Sequence, residues 1–187
     1  MAVRTKFQGT AVILDGSTSG TVTLQPIAVA GTQIHYSPEP YAGIYISAGA
    51  TTQTTNGTPG TFDTMTGFAA AGGANGSVYG MTADKANNKI VALVAGIYEV
   101  TFNVSFSGTG SETYLCELYN STTATASVPG KLERKLGAAG DVGSAAFSCF
   151  VTAAANDEFV IRVTCSSGAS KNFIPSYANF RMRRVSS

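Results

Sequence analysis

Charge is what this chain has least of. Asp, Glu, Lys and Arg together make up 12% of its 187 residues, about half the usual share of about 25%. Helices on a protein surface need far more Lys, Glu and Arg, and every stretch with a helical period is broken by Gly, Thr or a β-branched residue. The formal net charge is +1, too small for a global field that would gather nucleic acid or an anionic membrane surface. Tryptophan is absent and histidine occurs once, at His35. A Ser-His-Asp triad would have to use His35, in a Pro-flanked stretch beside Tyr36, and no Gly-Xaa-Ser-Xaa-Gly elbow accompanies it. Long apolar runs are missing too. Arg4 and Lys6 are followed only by Ala11 to Leu14 before Asp15, too short for a signal-peptide core, and nothing approaches a membrane span. The expectation is a chain made in, and soluble in, the cytosol of its producing cell.

Cysteine is scarce and odd in number: Cys116, Cys149 and Cys165. Each falls on the apolar face of an expected strand, beside Leu118, Phe147 and Val163 respectively. Without an export signal this pattern predicts buried free thiols, not a disulfide framework, and no zinc site, which wants three or four Cys/His ligands. No basic setting that would activate a thiol is visible.

What the chain does have is alternation. From Tyr98 to Phe106 every even position is large and apolar: Tyr98, Val100, Phe102, Val104, Phe106. The odd positions Glu99, Thr101, Asn103 and Ser105 are polar. Successive strand side chains point to opposite faces, so this is a long strand with one buried and one polar face. Further rows follow the same rule. Tyr114, Cys116 and Leu118 share a face, with Leu115, Glu117 and Tyr119 opposite. Phe147, Cys149 and Val151 align, as do Phe159, Ile161, Val163 and Cys165, and finally Ala178, Phe180 and Met182. Turn signals separate them at Gly108-Thr109-Gly110, Pro129-Gly130, Gly140-Asp141-Val142-Gly143 and Ala153 to Asp157, with Lys131 to Leu136 a short edge strand between two of these. Strands at this density predict an all-β sandwich or barrel.

The first 50 residues differ. Ala11 to Leu14 and Gly20 to Leu24 predict short strands about a turn at Asp15-Gly16-Ser17, Pro26, Pro38 and Pro40 interrupt, and Tyr41 to Ile46 is another brief strand. Ala48 to Gly60, rich in Thr and Gly, is a natural linker or the entry into the main domain, and Ala69 to Gly76 a small-residue loop. The domain reading is an N-terminal arm or small β subdomain over 1–50, for attachment or oligomerisation, and one β domain over 51–187.

Three runs carry a family resemblance: Asn88-Lys89-Ile90-Val91-Ala92-Leu93, Ala95-Gly96-Ile97-Tyr98-Glu99-Val100, and Phe102 to Gly108. With the ending Tyr177 to Arg184, they resemble the jelly roll of tumour necrosis factor and the complement globular head. The resemblance spans about residues 60 to 187. It implies a jelly-roll β-sandwich behind an extended β arm, assembled as a compact homotrimer whose final strand runs beside the threefold axis. The Gly/Ala/Ser/Thr-rich style, reduced cysteines and N-terminal arm are similar to versions carried by tailed bacteriophages as capsid decoration (cement) knobs, head fibres or fibre tips.

Other chemistry is thin. Asp157-Glu158 and Glu112/Glu117 read as turn and strand-edge solvation before they read as a glycosidase pair. Asp84, Asn87 and Asn88 are too few oxygen ligands for a calcium loop. Arg181, Arg183 and Arg184 form the densest basic group and are expected to pair with Glu99 or other strand-face acids. No cofactor, metal, nucleic acid or membrane partner is expected, and no enzyme. The leading expectation is a virion structural protein on the capsid surface, synthesised in the host cytoplasm, with itself and the major capsid protein as partners. Val12, Ile13, Leu14, Val22 and Leu24 would dock the arm; Tyr98, Phe102, Phe180 and Met182 would fill the core or the trimer axis. The alternative is a fibre-tip or receptor-binding knob that recognises a host glycan through apical loops such as 69–80 or 120–130.

Overall fold

The computed structural model describes residues 4–7, 10–16, 22–24, 39–47, 52–58, 60–68, 78–138, 140–167 and 169–186. Among them are fourteen strands and no helix. The chain divides into two units, Met1–Pro38 and Glu39–Ser187. In the first, β1 (Arg4–Phe7), β2 (Thr10–Gly16) and β3 (Val22–Leu24) form a three-stranded antiparallel sheet. Leu14 lies opposite Leu24, and Val12 opposite Thr5.

The second unit is a sandwich of two sheets. Its strands are β4 (Tyr41–Ser47), β5 (Gln53–Thr54), β6 (Asp63–Thr64), β7 (Met81–Asp84), β8 (Lys89–Ala92), β9 (Gly96–Gly108), β10 (Thr113–Asn120), β11 (Thr125–Lys135), β12 (Gly143–Ala153), β13 (Asp157–Cys165) and β14 (Asn172–Ser186). One sheet runs β11-β10-β13-β8-β7, with β6 also on β13; the other runs β12-β9-β14-β4, with β5 also on β14. All pairings are antiparallel. The long alternating strand β9 is central to the second sheet, flanked by β12 from Gly96 to Phe106 and by β14 on its other side.

The inward rows follow the alternation. Tyr98, Val100, Phe102, Val104 and Phe106 of β9 meet Tyr114, Cys116 and Leu118 of β10 and Phe159, Ile161, Val163 and Cys165 of β13 in one buried core. Each fully buried large side chain is worth about 1.5–3 kcal/mol. Phe106, Tyr114 and Phe173 form an aromatic triangle between the sheets, with centroids 4.7–5.7 Å apart. The Tyr114 hydroxyl donates to the Asn172 carbonyl at 2.5 Å and accepts from the Thr109 amide at 3.0 Å. Gly108 makes this possible: a Cβ there would lie 2.7 Å from the same hydroxyl.

Two expectations change and a third is decided between its alternatives. The strand Tyr41–Ser47, read as part of the arm, pairs with β14 from Ser47–Tyr177 to Tyr41–Arg183, so it belongs to the sandwich and the boundary falls at 38/39 instead of 50. The Thr/Gly-rich stretch, read as a linker or the entry into the main domain, is the latter: it contributes β5, whose Gln53 pairs with Phe173. Pro129-Gly130, read as a turn, lies inside the edge strand β11, which is longer than the expected 131–136. The ladder to β10 skips from Glu117–Lys131 to Tyr119–Ala126, and Pro129 occupies the resulting bulge, where its missing N–H costs no ladder bond. The Ala69–Gly76 loop and His35 lie outside the described residues.

The sandwich has two poles. At one, the Arg184 amide bonds the Pro40 carbonyl at 2.8 Å, Asn156 bonds Ala92, and Ser121 bonds Glu158. At the other, Thr109 meets Asn172, Ser111 meets Gly137 and Ser166 meets Thr113.

Candidate interaction face

The outward rows of the β12-β9-β14-β4 sheet make one continuous face. Strand β9 contributes Ile97, Glu99, Thr101, Asn103 and Ser105, opposite Thr152, Phe150, Ser148, Ala146 and Ser144 of β12. On its other side lie Arg183, Arg181, Asn179 and Tyr177 of β14, and beyond them Tyr41, Gly43 and Tyr45 of β4. Hydroxyls, amides and small side chains dominate. Arg183 bonds Glu99 at 2.7 Å, and Arg181 Nε donates to Asn179 Oδ1 at 3.0 Å. Only Arg183 of the three C-terminal arginines pairs with Glu99 as expected. Arg184 packs against Gly96, where a Cβ would lie 2.5 Å from its buried Nε.

Set into this neutral field are large apolar groups. Phe150 is 62% exposed and Tyr177 57%. Rings this exposed gain from being covered, most of all where the surrounding strand face carries few charges to desolvate. A groove of about 480 Å³ runs along the β4 side, lined by Tyr41, Tyr45, Glu99, Thr101, Arg181 and Arg183. Gly43 forms its floor: the Arg181 Cγ lies 3.1 Å from where a Cβ would sit. A shallower hollow of about 240 Å³ lies beside Phe150 and Pro129 at the other edge.

Tyr98, Phe102, Phe180 and Met182 are all buried inside the sandwich, so the outward face is made by their neighbours. Val12, Ile13 and Leu14 lie on β2, and Val22 and Leu24 on β3; their side chains lie outside the described part of the structure. The sequence reading passed over Phe150. The signal was present, since it alternates with inward Cys149 and Val151.

The outer face of the other sheet is a closed polar network. Glu117, 2% exposed, is bonded by Arg162 and by Lys131 Nζ at 3.2 Å. At the distal pole Lys171 Nζ lies 2.7 Å from Glu112 Oε1, and this bond holds the Glu112 carboxyl below its usual range and the Lys171 ammonium above its own. The three cysteines are free and buried; burial pushes the Cys116 thiol up to about 12 and raises that of Cys149. The Asp84 carboxylate is taken by Asn87, accepting from its amide N–H at 3.1 Å and its side chain at 2.7 Å. Among the described residues no three His, Cys, Asp or Glu side chains converge as metal ligands.

Of the two loops expected to be apical, residues 69–77 lie outside the described residues. Tyr79 forms a β-bridge with Tyr41, their rings stacked 6.5 Å apart. The turn 121–124 follows Asn120, which pairs with Phe159 near the Pro40 pole. Both features sit at the pole where the chain comes in.

Two sheets in these strand orders, with the first and last strands paired side by side, define a jelly-roll sandwich. Solved structures share this fold. The globular domain of zebrafish complement 1qA protein is similar with a TM-score of 0.52 at 12% identity, covering 79% of this chain and 97% of that one. Eiger TNF from S. frugiperda gives 0.51 at 8% identity over 79% and 94% of the two chains. Murine APRIL at pH 5.0 gives 0.51 at 8% identity over 79% and 99%. No protein-family model matches the chain, and no curated protein matches it by sequence.

Proposed function

We propose that this chain is a non-enzymatic structural knob that assembles as a homotrimer through the outward face of the β12-β9-β14-β4 sheet. The observation that carries the reading is the character of that face: low in charge, rich in Ser, Thr and Asn, and studded with Phe150 and Tyr177. Such a surface gains from burial against its own copies, because few charges need desolvation and the rings leave water. Mass measured by light scattering tests it: three times the 19.2 kDa chain mass is expected, and a monomer at micromolar concentration would overturn the reading.

The setting we propose is the surface of a bacteriophage head, as a capsid decoration (cement) protein whose residues 1–38 hold the major capsid protein. The small separate β unit and the neutral, Gly/Ser/Thr-rich knob support this. Three arms on one trimer would bind multivalently, so weak single contacts would suffice. Deleting residues 1–38 is expected to abolish particle binding while leaving the trimer intact; retained binding would remove the arm from the proposal. The glycan-binding alternative has less support, because Tyr79 stacks on Tyr41 and the turn 121–124 sits at the incoming pole.

A further inference from the structure

The outward face carries a protrusion on one edge strand and a hollow that ends on the opposite one. Phe150 stands on the edge strand β12; the groove begins at Glu99 and Thr101 of the neighbouring β9, crosses β14 at Arg181 and Arg183, and ends between Tyr41 and Tyr45 on the opposite edge strand β4. Three strand spacings of about 4.8 Å separate Phe150 from that Tyr41–Tyr45 end. Phe150 therefore borders its own groove at Glu99 but does not reach the Tyr41–Tyr45 end, which a ring from a second copy can fill.

The groove is chemically suited to an aromatic ring. Tyr41 and Tyr45 line its β4 end, and tyrosine rings favour edge or offset contacts with another ring. Its floor is lowered by Gly43, over which the stem of Arg181 lies. The guanidinium of Arg181 is exposed and offers a cation to the negative face of an incoming ring, an electrostatic match that an aliphatic side chain would lack. Its volume of about 480 Å³ leaves room for one phenyl group. On the donor side, Phe150 is the most exposed large apolar residue among the described ones, at 62%, and it stands on a regular strand that fixes its direction.

We infer that the knob associates head to tail, with Phe150 of one copy seated in the Tyr41–Tyr45–Arg181 groove of the next. This rests on the self-association proposed above and names the contact that builds it. Every copy carries both parts, so such a contact repeats from copy to copy and makes a closed trimer when each step turns by a third of a circle. A buried aromatic in a central pocket is the usual energetic anchor of an interface.

Two variants test the seat, both at an exposed position that leaves the core untouched. Phe150→Ala is expected to weaken assembly at least about tenfold with thermal unfolding of the chain unchanged at the same oligomeric state. Phe150→p-benzoylphenylalanine, irradiated, is expected to give covalent species up to trimer, with the cross-linked peptide containing residues 41–47 or 179–183. Cross-linked dimers and no trimer would overturn the head-to-tail arrangement in favour of a twofold pair. A native trimer that Phe150→Ala leaves intact, or a cross-link to other peptides, would overturn the seat while sparing the trimer. A monomeric unmodified chain would overturn the self-association reading itself, and this inference with it.

Discussion

The guanidinium carbon of Arg162 lies 3.4 Å from the centroid of the Tyr119 ring and 5.3 Å from that of Phe62. The same side chain bonds the buried carboxylate of Glu117. Arg162 thus ties β13 to β10 and holds the segment just before β6 against the sheet. Replacing it by Met leaves Glu117, 2% exposed, with Lys131 alone. The expected loss is about 3 kcal/mol, since breaking a buried pair strands its partner. Urea unfolding measures it. Arg162→Lys should recover little, because an ammonium loses the planar stacking, whereas Arg162→Met combined with Glu117→Gln should recover much of it.

Gly130 is the hinge of the β11 bulge. A Cβ there would lie 2.8 Å from Leu118 Cβ and 3.2 Å from Cys149 Sγ. Gly130→Ala is expected to cost about 1–3 kcal/mol through overpacking. Gly60→Ala, with φ +77° and open space around it, should cost about 1–2 kcal/mol, from backbone conformation alone. Comparing the two unfolding midpoints separates packing from strain.

The thiols should be silent. With all three buried and Cys116 pushed up to about 12, a thiol-specific reagent at pH 8 should label none of them rapidly in the folded protein and all three after denaturation. Rapid labelling of Cys116 in the native state would contradict its placement in the core.

Acid and base should each loosen the distal pole. The hydrogen bond from Lys171 lowers the Glu112 carboxyl in the folded state. Its contribution is therefore complete above the unfolded value of about 4.3 and fades as pH falls through the lower folded one. Lys171 is raised by the same bond, so its contribution is complete below about 10.4 and fades as pH climbs through the folded value. In Lys171→Met, the Glu112 titration followed by NMR should move up toward the ordinary carboxylate range. An unmoved titration would show that the ion pair does not set it.

Tyr98 to Phe106 and Phe159 to Cys165 made the sandwich legible from sequence, because a period of two needs only a few residues to declare a buried face. The same rule misjudged Glu117. Alternation placed it on the outward side, as observed, but could not reveal that Arg162 and Lys131 close over it. Pro129-Gly130 read as a turn because that dipeptide usually is one; only the skipped register opposite Glu117 and Tyr119 explains its place in a strand. Strand β5 was invisible for another reason: two residues such as Gln53-Thr54 carry no period at all. The interaction face was half legible. Its polar rows from Glu99 to Ser105 stood out, while Phe150 was hidden among small residues and the groove depends on Gly43, whose role appears only once β4 lies beside Arg181.

The pairing of β4 with β14 also has a mechanical meaning. The chain comes in at Pro40, beside Arg184, and β4 runs away from that pole with its ladder extending from Tyr41–Arg183 to Ser47–Tyr177. A pull on the chain at residue 39, directed away from the knob, acts along the strand axis. The ladder bonds then carry the load together in shear instead of opening one by one. A pull that separated residue 39 from residue 186 would instead unzip them in sequence. A knob held by its leading segment is thus strongest against tension applied from the side on which that segment leaves it.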